Sequence, residues 1–192
     1  MFEQLYKSIH EHVSLSDEEW QQCKNNFRPK RMLKRQFLLQ EGDTCRQLAF
    51  IEKGSLFTYA VDAGGNRRVV RFAFDGWWVA DLQSYFTGSP AMLNIEVLED
   101  CELLILDKTN HENLLLKIPG YERYHRIILQ NAYLALHERI ENAIGLTADE
   151  KYERLIKRNP EFLHRVPQHL VASYLGMSPE TLSRVRSRFN RS

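Results

Sequence analysis

Histidine is missing from the middle of this 192-residue chain, with none between Val13 and Asn110. A metal-dependent enzyme of the cupin type, built on a small β-roll, wants two or three histidines and a carboxylate on neighbouring strands. That absence demotes the cupin to a distant alternative. The histidines elsewhere, among them His10, His12, His111, His125 and His137, are scattered, and they leave haem ligation as a minor alternative only. Cysteine is scarce too: Cys23, Cys45 and Cys101 form no CxxC, so neither a zinc knuckle nor a disulfide framework is supported, and a reducing compartment fits best. No GxSxG or GxxxxGK[ST] occurs, which removes the commonest nucleophile elbow and phosphate loop. No apolar run approaches the roughly 20 residues of a membrane span, and Met1–His12 carries charge where a signal peptide would be apolar. A cytoplasmic non-enzyme without metal, cofactor or membrane contact is expected.

What is present is an ordinary foldable composition, 43% hydrophobic and 27% charged. The net charge of +1 conceals an asymmetry. Residues 162–192 hold Arg165, Arg184, Arg186, Arg188 and Arg191 against the single acid Glu180, a basic end suited to a polyanion. Residues 1–26 read as helix, with a capping box at Ser16 and Glu19 and an apolar face of Leu15, Trp20 and Phe27. From Phe27 to about Lys108 short apolar runs alternate with turn signals such as Glu41-Gly42-Asp43, Lys53-Gly54, Ala63-Gly64-Gly65-Asn66 and Asp75-Gly76. That spacing predicts an antiparallel roll or sandwich.

Residues 110–145 read as helix, broken early by Pro119-Gly120. Two apolar stripes run along it: Tyr121, Tyr124, Ile128, Ala132 and Ala135, and Leu129, Tyr133, Leu136, Ile140 and Ala143. A helix with two apolar faces needs two partners. The economical pair is the β-roll and the same helix of a second copy, which makes Ile128, Ala132, Ala135, Leu136 and Ile140 the dimerisation candidates; a monomeric bundle is the alternative. Residues 146–166 give an amphipathic helix, capped by Thr147 with Glu150 and ended by Asn159-Pro160, then a short piece from Glu161 to Arg165. The expected fold is α+β: a jelly-roll-like sensor over 1–109, a long helix over 110–145, and a small all-α unit over 146–192.

The segment from Pro167 to Val185 meets every demand of two short helices crossing steeply. Ala172 is small where the backbones approach, and Gly176 sits where the turn needs positive φ. Val171, Leu175, Met177, Leu182 and Val185 take the inward positions. Ser178 serves as N-cap with Pro179 after it. The outward face of the second helix then carries Glu180, Thr181, Arg184 and Arg188. An arginine can donate two bonds to guanine, and a carboxylate can accept from cytosine N4. Glu180 and Arg184 are assigned to bases, and Ser178, Thr181, Arg186 and Arg188 to the backbone of double-stranded DNA.

The stretch Gly176-Met177-Ser178-Pro179-Glu180-Thr181-Leu182-Ser183-Arg184 resembles the recognition helix of the Crp/Fnr regulators. In the roll, Gln40-Glu41-Gly42-Asp43, Ile51-Glu52-Lys53-Gly54-Ser55 and Phe74-Asp75-Gly76-Trp77-Trp78 are similar to the cyclic-nucleotide-binding fold. The resemblance implies a homodimer on pseudo-palindromic DNA, with RNA polymerase as a possible further partner. It also exposes departures. The family's phosphate cassette has a Gly-Glu pair and an arginine about ten residues on, where this chain has Ala80-Asp81 and Ala91, so control by cyclic AMP or cyclic GMP is not expected. The four cysteines of the iron-sulfur type are absent. An unknown small-molecule effector is left with Trp78, Asp81, Gln83, Ser84, Tyr85, Ala91 and Met92 as pocket candidates. Pro179 replaces an arginine that reads the half-site in many relatives, and the chain given ends at Ser192 without residues for a β-wing. The rival binding reading is a cyclic-nucleotide-binding regulatory protein that acts through protein contacts.

Overall fold

The computed structural model describes residues 1–159 and 162–189. The predicted helix stop at Pro160, the start at Glu161 and the basic Arg191 lie outside the described residues. By packing, the chain divides into two compact units, Met1–Ala60 with Arg71–Gln130 and Val61–Val70 with Asn131–Ser192. The boundary therefore falls inside the long helix rather than at either of its ends.

In the first unit, the N-terminal stretch read as helix is two helices, α1 (Glu3–His10) and α2 (Asp17–Asn25). The cause is the cap itself. Ser16 is extended (φ −67°, ψ 162°), so that its Oγ accepts from Glu19 N–H while the Glu19 carboxylate accepts from Ser16 N–H at 2.8 Å. A residue in that conformation stands outside a helix and cannot continue one. The N-terminus of α1 is capped from a distance, because the buried Glu52 carboxylate accepts from Leu5 N–H at 2.8 Å and Gln4 N–H at 3.2 Å. A negative charge there also suits the positive end of the helix dipole.

Among the described residues, six strands form one antiparallel sheet: β1 (Arg28–Met32), β2 (Phe37–Leu39), β3 (Gln47–Val61), β4 (Arg67–Ala73), β5 (Trp78–Val79) and β6 (Asn94–Asp107). The order is β1-β6-β3-β4, with β2 also pairing β6 and β5 also pairing β3. The long ladder between β3 and β6 runs from Gln47 opposite Asp107 to Tyr59 opposite Asn94. Its register shifts between Ile51 and Leu56, which makes Lys53-Gly54 a bulge within one bent strand rather than the turn its sequence suggested. Gly54 has φ +102°, and a Cβ there would come within 2.5 Å of the Asp100 carbonyl oxygen, so both conformation and space require glycine.

Inside the bend lie Phe50, Ile51, Leu56, Leu103, Leu104 and Leu106, with Leu5, Ile9 and Cys23 of the N-terminal helices against them. Each such side chain contributes about 1.5–3 kcal/mol by leaving water. Burial pushes the Cys23 and Cys101 thiols up to about 12, which keeps them protonated core residues. Helices α3 (Leu82–Thr87), α4 (Lys108–Lys117) and α5 (Pro119–Gly145) follow, and the break before Pro119 separates α4 from α5 as expected. The root of α5 is anchored by Tyr124, whose hydroxyl receives Trp78 Nε1–H at 2.9 Å and pairs with Ser8 Oγ at 2.8 Å.

The second unit contains α6 (Ala148–Arg158), α7 (Phe162–Arg165), α8 (Gln168–Leu175) and α9 (Pro179–Phe189). Thr147 and Glu150 form the predicted capping box of α6. Tyr152 and Leu155 turn inward, with Tyr152 edge-on to Phe189 at 5.7 Å between ring centroids. The tip of the β3–β4 ribbon, residues 61–70, also belongs to this unit.

Candidate nucleic-acid interface

Helices α8 and α9 form the expected pair. Val171, Ala172, Leu182 and Val185 are buried at 1% exposure each, and this apolar seam fixes one helix on the other. Gly176 ends α8 with φ +71°, and its N–H reaches back to the Ser173 carbonyl. A Cβ at Gly176 would meet nothing, so its requirement is conformational rather than steric. Ser178 Oγ accepts from Thr181 N–H at 3.2 Å, and Pro179 opens α9. Glu180 lies in the first turn, its carboxyl held below the usual range by hydrogen bonding at Ser178, so it is ionised at neutral pH.

The outward residues of α9 fall into two groups. Glu180 and Arg184 are exposed and Thr181 is half-exposed; Arg184 makes one weak side-chain bond, Nη2–H to Thr181 Oγ1 at 3.3 Å. Ser178 and Pro179 are exposed beside them, and Arg186 is half-buried. Arg188 differs, because its guanidinium grips Asp149 through Nε at 3.0 Å and Nη2 at 2.7 Å. That contact ties α9 to the start of α6, so Arg188 has a scaffolding bond as well as its assigned phosphate role.

The dimerisation candidates lie along α5 in a graded series. Ile128 packs on the core, Ala132 is half-buried, and Ala135, Leu136 (56%) and Ile140 (52%) are exposed, as are Tyr133, Leu134 and Ile144. Together these residues leave an apolar stripe exposed along α5.

The effector candidates do not share one environment. Asp81 is 5% exposed and caps α3, its Oδ1 accepting from Ser84 N–H at 3.0 Å. Ser84 Oγ donates to the Ser89 carbonyl at 2.6 Å and accepts from Cys45 N–H at 2.9 Å. Tyr85 Oη pairs with His111 Nδ1 at 2.8 Å inside the protein. Trp78 is engaged with Tyr124, Ala91 is buried, and Gln83 and Met92 face solvent. A cavity of about 370 Å³ does exist in the roll, lined by residues that include Leu39, Thr44, Arg46, Val79, Ala80 and Ile95, and none of the seven candidates lines it. Sequence reasoning missed these residues because the cavity is made by three segments distant in the chain. Among the described residues no three His, Cys, Asp or Glu side chains are grouped to hold a metal, and no helix is long and apolar enough to cross a membrane.

Comparison with known proteins places this arrangement. Residues 29–117 match the cyclic nucleotide-binding domain. The chain is 25% identical to the regulatory protein HlyX of Actinobacillus pleuropneumoniae over 93% of its length and 79% of that protein. It is 24% identical to the transcriptional regulatory protein btr of Bordetella pertussis, over 72% of its length and 61% of that protein, so it spans less than two thirds of btr. The solved structure of a putative Crp/Fnr regulator from Eubacterium rectale shares the fold, with TM-score 0.67 at 15% identity, covering 92% of this chain and 84% of that one. The chain is thus similar to proteins named as regulators, and its roll matches the cyclic nucleotide-binding domain. At the position where the resemblance expects a phosphate cassette, the Asp81 carboxylate already accepts Ser84 N–H, a backbone group that a bound anion would otherwise take.

Proposed function

We propose that this protein is a cytoplasmic, sequence-specific transcriptional regulator that binds pseudo-palindromic duplex DNA as a homodimer and does not answer to cyclic AMP or cyclic GMP. The observation that carries the reading is the outward face of α9. Glu180 and Arg184 stand exposed and Thr181 half-exposed on a helix held by its cap and its buried seam, with few ties to the rest of the fold. Such a helix fits the major groove, where Arg184 can take guanine O6 and N7 and Glu180 can accept from cytosine N4. Ser178, Thr181, Arg186 and Arg188 supply phosphate contacts, with Pro179 altering the code at one base pair.

The second copy is proposed from the exposed Leu136 and Ile140 stripe of α5, with Ala132 and Ala135 small enough for close approach. Independence from cyclic nucleotides rests on Asp81 and Ala91. A cyclic phosphate entering here would meet a buried carboxylate at the α3 N-terminus and find a methyl group in place of a cation. Relatives named as regulators favour regulation over catalysis. An unidentified small-molecule effector and RNA polymerase complete the proposed partners.

The test is selection of bound duplexes from a random pool, with calorimetry on cyclic AMP and cyclic GMP beside it. Enrichment of a two-fold motif with half-sites about one helical turn apart, and no nucleotide binding, is the expected result. Tight nucleotide binding without DNA enrichment would favour the rival that acts through protein contacts.

A further inference from the structure

The free edge of strand β4 is where the second unit does something its sequence did not announce. Residues 67 and 69 point their backbone groups to the same edge, and an uncovered edge normally takes another strand or water. Here one side chain replaces the strand. Ser173 Oγ on α8 accepts from Val69 N–H at 3.0 Å and donates to the Arg67 carbonyl at 2.8 Å. The remaining group, the Val69 carbonyl, accepts from Arg139 Nη2–H at 3.2 Å. The Arg139 guanidinium lies over the Tyr174 ring, 4.6 Å from its centroid, and Tyr174 neighbours Ser173 on the same helix. Three backbone groups of one strand edge are thus satisfied by two side chains, one on α5 and one on α8.

The ribbon tip is itself stiff. Asp62 Oδ1 accepts from Gly64 N–H at 3.0 Å and Asn66 N–H at 2.9 Å, and its Oδ2 accepts from Arg68 Nε–H at 2.7 Å. The Asn66 amide and the Arg68 guanidinium hold the Asp62 carboxyl below its ordinary range, so the tip keeps this form at neutral pH. A preformed tip bonded to α8 restrains the helix on which α9 is seated. We propose that residues 61–70 form a clasp that sets the helix-turn-helix for DNA binding, with Ser173 and Arg139 as its positioning residues. The clasp touches no base, so it raises affinity for every sequence alike. Its effect on DNA rests on the DNA-binding reading above; its existence does not.

Amide exchange of the full chain, read by NMR at Val69 and along α8, tests the contact, and fluorescence anisotropy on the selected duplex and on base-changed versions tests its consequence. Ser173→Ala should speed Val69 exchange about tenfold, the value of one lost hydrogen bond of ~1.4 kcal/mol, and speed α8 exchange with it. It should also weaken binding about three- to tenfold on all duplexes, leaving their ranking intact. Ser173→Thr, which keeps the hydroxyl, should restore both. Arg139→Gln serves if Ser173→Ala fails to fold, and should move the α8 exchange and the affinity in the same direction. Unchanged exchange in the variants overturns the clasp, and faster exchange with unchanged or tighter DNA binding overturns its positioning role. If the wild type binds no duplex, the DNA-binding reading fails, and the restraint on α8 is then upheld or rejected by the exchange rates alone.

Discussion

The two ends of this chain treat their polar residues in opposite ways. On α9, Glu180 and Arg184 are exposed and make little use of each other or of the fold. At the cassette position of the sensor, Asp81, Ser84 and Tyr85 are buried and bonded within it, to Ser84 N–H, the Ser89 carbonyl and His111. Polar groups left exposed can be offered to a partner, whereas polar groups that are buried and bonded to one another cannot. The contrast is what the proposed reading requires: polar groups left exposed on α9 for DNA, and polar groups at the expected cassette position already used within the fold.

The largest effect that can break this comparison is on assembly. Ile140→Glu puts a charge on the exposed stripe of α5, and sedimentation should show monomers; affinity for the two-fold duplex should fall by about 10²–10³, as expected when two linked half-site contacts become one. A monomeric wild type would remove the basis of that prediction.

The next sharpens the sensor side. His111 is buried beside His125, with 4.3 Å between ring centroids, and burial with the neighbouring imidazole pulls it down to about 4. Its folded value is depressed, so the unfolded chain takes up the proton first. Stability is full above about pH 6.5 and is lost as pH falls toward 4, by about 2–3 kcal/mol. Burial also depresses His125, which adds in the same direction. In thermal melts the wild type should lose stability steeply between about pH 6.5 and 4 and His111→Gln less steeply; equal pH dependence in both would refute the assignment.

Smaller effects fall on the reader. Ser178→Ala removes the cap of α9 and should cost about 1 kcal/mol in a denaturant melt. Asp149→Asn weakens the grip on Arg188, and because both partners are exposed the stability change should stay under about 1 kcal/mol. A much larger loss would mean that α9 depends on that tie more than on its buried seam.

The reader was legible in the sequence because its constraints are local. A small residue at Ala172, positive φ at Gly176 and the Ser178-Pro179 start each act within a few positions. The stripe along α5 was legible for the same reason. The sensor was not, because its polar bonds join residues far apart, Cys45 to Ser84 and Tyr85 to His111, and only strand pairing brings them together. Lys53-Gly54 looked like a turn because glycine signals positive φ without saying whether a bulge or a reversal uses it. The contact between Ser173 and β4 crosses about a hundred residues and left no sign in either segment.

Selection from a random duplex pool, run in parallel with wild type and Arg184→Ala, tests the central claim most directly. The account predicts a two-fold motif from the wild type, and from the variant the same motif with preference relaxed at one base pair in each half-site, at a cost of about 1–3 kcal/mol. An identical motif and affinity from both proteins, or no motif from either, would contradict it.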